Sequence, residues 1–148
     1  MTAAEKFRSL LQSDLRFDPE AYNFVYEALD YTLKNVVNGK RRPNQHVSGA
    51  ELLEGIRRLS IEQFGCLVRQ VFDTWGIQNT DSFGEIVFNL VEHDLMGKQD
   101  SDRMDDFRDV YDFEEVFDIT PIFHYSRDKD EWDASYVTQR QLAQLERN

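Results

Sequence analysis

The chain has 148 residues, room for one domain that buries roughly 68–70% of its unfolded surface. Its 41% hydrophobic content, eleven Phe included, excludes wholesale disorder, and its single Cys excludes a disulfide framework or a multi-Cys zinc site. With 17 basic and 28 acidic residues the formal charge is −11, which opposes contact with a polyanion.

Residues 3–12 suit a short opening helix with Phe7, Leu10 and Leu11 on one side. Asp18-Pro19 predicts the next helix start, because Asp caps free amides and Pro is tolerated at the first helical position. That helix is expected to run to Val37 and to stop at Asn38-Gly39. Tyr22, Val25, Tyr26, Leu29, Leu33 and Val36 fall on one stripe, and Phe24, Ala28 and Tyr31 lie on the opposite side. A helix so apolar around its girth is either central to the domain or shared with a partner.

After a polar loop, Ser48-Gly49-Ala50-Glu51 forms a capping box. The apolar face of Leu52, Leu53, Ile56 and Leu59 then shifts round to Phe64, Leu67, Val68, Val71, Phe72 and Trp75. A phase jump of that kind predicts two helices, near 49–59 and 61–75, with Gly76 as the stop. Thr80, Asp81 and Ser82 compete as N-caps, and Ser82-x-x-Glu85 makes a second box. The helix expected there, about 82–95, buries Phe83, Ile86, Val87, Leu90 and Val91, and Gly97 closes it.

Beyond Gly97 the periodicity of 105–125 fits a helix and an extended edge equally well. The IFHY after Pro121 suits a short strand, 126–133 is charged, and 134–148 forms a weak terminal helix or frays. The expected fold is mainly α: a single compact helical domain of five or six helices with a small β element after residue 97. Its parts are a helical domain, 1–118, and an acidic C-terminal extension, 119–148, packed on the body or partly frayed. No stretch of about 18 apolar residues occurs. MTAAEKFRSLLQ lacks the layout of a signal peptide, so a cytoplasmic location is expected.

Three stretches together, FDPEAYNFVYEALDYTL, HVSGAELLEGIRRLSIEQFG and WGIQNTDSFGEIVFNLVEHDLMGK followed by DDFRDVYDFEEVF, carry a resemblance. The chain resembles a family of uncharacterised bacterial proteins of about this length over roughly residues 17–118. The resemblance implies a soluble, cytoplasmic bacterial domain and carries no activity, cofactor or catalytic residue.

Charge is unevenly placed. Thirteen acids and five bases lie between Lys98 and Asp133, so the other 112 residues, with 15 acids and 12 bases, are nearly balanced. Phe107, Tyr111, Phe113 and Phe117 sit among those acids. They are read either as a strap over the helical body or as anchors for a basic partner. With Phe24 and Tyr31 of the two-sided helix they make the candidate partner surface. The leading expectation is a non-enzymatic protein-interaction module whose partner is another protein or a second copy as a homodimer.

A second reading is a winged-helix-like nucleic-acid binder. The stretch from Trp75 to Gly97 has the layout of a helix-turn-helix corner followed by the start of a wing. Lys40, Arg41, Arg42 and His46 are its candidate anion contact, joined by Arg57 and Arg58. Against it, the would-be reading helix carries Glu85, Asn89 and Glu92, and no Lys or Arg stands between Arg69 and Lys98.

The third reading is a small metal-dependent enzyme using Glu85, Glu92 and His93, although no Glu-x-x-His element occurs. The acids at 100, 102, 105 and 106 lack the spacing of a calcium loop. Cys66, flanked by Phe64, Leu67 and Val68, is expected to be buried and inert. No P-loop, GxGxxG, GxSxG or HExxH motif is present, so no cofactor is expected.

Overall fold

The computed structural model describes residues 1–37, 47–97 and 104–147. Thr2 and Glu5 cap each other's backbone to open α1 (Ala3–Ser13), whose Leu10 is fully buried. Asp18 then opens α2 (Pro19–Asn35) by accepting the Glu20 amide at 2.9 Å. Asn38 and Gly39, the expected stop, lie outside the described residues, as do Lys40, Arg41, Arg42 and His46.

Both sides of α2 are covered within the chain. Tyr22 packs edge-on between Phe7 and Phe17. Phe24, on the other side, lies 5.5 Å from the Trp75 ring and 5.9 Å from those of Phe64 and Phe72. The apolar girth of α2 therefore marks its central position, and Phe24 is a core residue rather than part of a partner surface. Tyr31 is half-buried against the same core.

Ser48 and Glu51 form the expected capping box and open α3, Gly49–Phe64. The helix does not break at Ser60. That hydroxyl bonds back to the Arg57 carbonyl at 3.0 Å and the helix continues. The break falls at Gly65, which sits at φ 57° and ψ −127°, a conformation open to glycine. A single 3-10 turn, Gly65–Leu67, leads into α4, Val68–Thr74. This turn absorbs the phase jump and leaves Cys66 exposed, contrary to the buried thiol expected from its neighbours.

Gly76, at φ 85°, ends α4 as expected. The next helix, α5 (Thr80–Glu92), is capped by Asn79 rather than by Ser82. Thr80 is unavailable because its hydroxyl donates to the Phe107 carbonyl at 2.7 Å and accepts the Val110 amide. The helix stops at His93, and Asp94 at φ 56° turns the chain away before Gly97.

Those contacts at the start of α5 anchor a strap. Phe107 enters a slot where Gly84 and Gly49 lack side chains: a Cβ on Gly84 would lie 2.8 Å from the Phe107 Cβ. Asp112 caps α6 (Phe113–Phe117), which drops Phe113 and Phe117 beside Phe72 at 5.6 and 5.5 Å. Phe107, Phe113 and Phe117 are buried, so they too belong to the core rather than to a partner surface. Tyr111 is half-buried, and its hydroxyl donates to the Leu53 carbonyl at 2.8 Å. Burial pushes that hydroxyl's pKa above the ordinary tyrosine value. The aromatic residues of the acidic stretch thus point inward while its acids stay at the surface.

The chain then leaves the body as an antiparallel hairpin, β1 (Ile119–Ser126) and β2 (Glu131–Thr138), and returns as α7, Gln139–Glu146. Residues 119–148 hold five acids and four bases, so the excess acid belongs to the strap before them rather than to this extension. The architecture is one mainly helical domain. Among the described residues it has six helices of at least seven residues, the short α6 and one two-stranded sheet.

Candidate functional site

The hairpin groups four large aromatic side chains that the body leaves exposed, Phe123, Tyr125, Trp132 and Tyr136. Register pairs Pro121 with Tyr136, Phe123 with Ala134, and Tyr125 with Trp132. Directly opposed residues of an antiparallel pair share a face. One face therefore carries Pro121, Phe123, Tyr125, Trp132, Ala134 and Tyr136, and the other carries His124, Asp133, Ser126 and Glu131. Tyr125 and Trp132 lie 5.2 Å apart, ring to ring, which braces the distal end. Phe123 is 65% and Trp132 72% exposed, whereas Phe107, Phe113 and Phe117 of the strap are buried. A two-stranded ribbon offers no second layer behind this face, so its aromatic area meets water unless something covers it.

The root of the hairpin is fixed. Ile119 is buried, and the Tyr136 hydroxyl lies where a side chain on Gly65 would stand, 2.6 Å from an ideal Cβ. At the tip, the Tyr125 hydroxyl donates to the Asp130 carboxylate, which raises the tyrosine's pKa. The carboxylates of Glu114, Glu115, Asp128, Glu131 and Asp133 are exposed, and the register puts Glu131 and Asp133 on the face opposite the aromatic one. Residues 112–138, α6 plus the hairpin, hold eight acids and two bases.

A shallow groove runs beside the hairpin root, between Cys66, Arg69 and Gln70 on one wall and Phe117, Asp118 and Ile119 on the other. Arg69 and Asp118 close across it at 3.0 Å. No histidine lines it; the acids beside Cys66 are Asp73 and Asp118, the latter held by Arg69.

The described residues of the other two readings are dispersed or occupied. Glu85 binds Arg16 at 2.7 Å, and Asn89 donates to Asp14 at 2.9 Å and to the Tyr22 hydroxyl at 3.1 Å. The face of α5 offered for reading bases is thereby held against the α1–α2 link. His93 contacts the Asn89 carbonyl and the Ser13 hydroxyl instead of joining Glu85 and Glu92. Among the described residues no three His, Cys, Asp or Glu side chains gather to hold a metal. Arg57 and Arg58 both grip Glu54, which keeps its carboxyl below the ordinary value.

Sequence reasoning found the aromatic strap but missed the hairpin face. The signal was present: Trp132, Ala134 and Tyr136 alternate with Asp133 and Ser135 after the turn-forming Asp128-Lys129-Asp130. Comparison with known proteins finds no matching family model, no matching curated protein and no matching solved structure.

Proposed function

We propose that the chain is a non-enzymatic protein-interaction module that meets its partner with the aromatic face of the β1–β2 hairpin. The exposure of Phe123, Tyr125 and Trp132 together on one braced face carries this reading. Aromatic anchors dominate interface energies because each buries much apolar area at small cost in conformational freedom. The carboxylates beside them supply steering. Phe24 of α2, one of the residues considered for self-association, is covered inside the chain. The cytoplasm suits the reading, and among the described residues no helix is long and apolar enough to cross a membrane. Co-purification of the tagged chain from its native cell tests the reading. A defined companion should be retained by the wild type and lost from the Phe123→Ser, Trp132→Ser double variant. A companion retained equally by both would refute it.

A further inference from the structure

The sign of the charge around the hairpin narrows the class of partner. Resting on the interaction reading above, we infer that the aromatic face receives an arginine-rich extended segment of another protein. Three observations carry this.

A carboxylate stands at the tip of the aromatic face, and others lie behind it. Asp130 touches the Tyr125 hydroxyl at the tip, and Glu131 and Asp133, the neighbours of Trp132 on β2, lie on the opposite face of the ribbon. Among the described residues no basic side chain pairs with Glu115, Asp128, Glu131 or Asp133. A ligand at the tip of the face meets Asp130 directly, and the acids behind the ribbon act on it through a field that salt screens.

The aromatic groups themselves favour a cation. Guanidinium stacks on indole and phenol faces while its edge donates to carboxylates, so arginine uses both features at once. Phe123, Tyr125 and Trp132 recur at two-residue spacing or directly across the ribbon. An extended segment repeats its side chains at the same spacing, which lets alternate arginines meet successive rings.

The competing occupants fit less well. A second copy would bring its own eight acids and two bases onto the same number here, and like charges across an interface cost affinity. Nucleic acid meets the same repulsion.

The test uses the full chain and three synthetic peptides of eight residues, the length of each strand. They alternate arginine with threonine, glutamine with threonine, or glutamate with threonine. Binding is read by calorimetry. The expected result is saturable binding of the arginine peptide, about tenfold or more tighter than the glutamine peptide. That binding should weaken about tenfold from low to high salt. It should also be lost in Trp132→Ser and in the Glu131→Lys, Asp133→Lys pair, whose circular dichroism should match wild type.

Equal, salt-independent binding of the glutamine peptide would overturn the basic partner and leave the interaction reading standing. So would a dimer seen by light scattering that Trp132→Ser dissolves, with no peptide bound. Arginine-peptide binding that survives Trp132→Ser would overturn the inference and remove the hairpin face from the interaction reading. Absence of binding by all three peptides likewise overturns the inference.

Discussion

The Tyr136 hydroxyl occupies the space in which a side chain on Gly65 would lie, with an ideal Cβ only 2.6 Å away. This contact seats the hairpin root on the bend between α3 and α4. Gly65 also holds φ 57° with ψ −127°, which side-chain-bearing residues rarely adopt. Gly65→Ala is therefore expected to cost about 1–3 kcal/mol from backbone strain alone. It should also lift the hairpin from the body, seen as faster amide exchange across 119–138 than in the strap at 104–117. Equal protection of the hairpin in both proteins would contradict that seat.

Asp14 links α1 to α5 and sets a pH dependence. The Arg16 side chain, first, and the Asn89 amide hold its carboxyl well below the usual range. A carboxyl lowered in the folded state adds stability above its unfolded value of about 3.9, and that stability is lost as pH falls toward the folded value. Asp14→Asn should lower stability by about 1–2 kcal/mol at neutral pH, at the lower end because Arg16 is exposed. The difference from wild type should shrink below about pH 4. Urea unfolding at a series of pH values measures both effects.

The aromatic residues divide sharply by energetic role. Phe107 fills a slot between Gly49 and Gly84, so Phe107→Ala should cost about 3–5 kcal/mol. Trp132 is mostly in water, and Trp132→Ser should change stability by no more than about 0.5 kcal/mol. Chemical denaturation of the two variants checks the contrast.

Cys66 stands exposed on the turn Gly65–Leu67. A disulfide exchange reagent should modify it in the native protein without denaturant, giving one equivalent per chain. Reaction only after unfolding would place the thiol back in the core.

Local chemistry was readable where a cap depends on its own few residues. Asp18 with Pro19 and Ser48 with Glu51 start helices as their sequences imply. The failures arise where a distant group decides. Ser82 looks like a cap, yet Thr80 is held by the Phe107 carbonyl, 27 residues away, and Asn79 takes the position. Phe113 and Phe117 stand between acids, and only the Phe72 and Phe83 rings, far away in sequence, reveal that they turn inward. The hairpin face was hidden for a related reason. Alternation around Trp132 is short, and its pairing with 119–126 exists only once the turn brings the strands together.

The most direct test places a photo-crosslinking phenylalanine analogue at Phe123 and, separately, at Arg8, an exposed site on α1. After irradiation in the native cell, a discrete covalent adduct with one other protein should form from position 123 and not from position 8. An adduct from position 8 alone, or none from position 123, would contradict the assignment of the hairpin face as the surface that a partner covers.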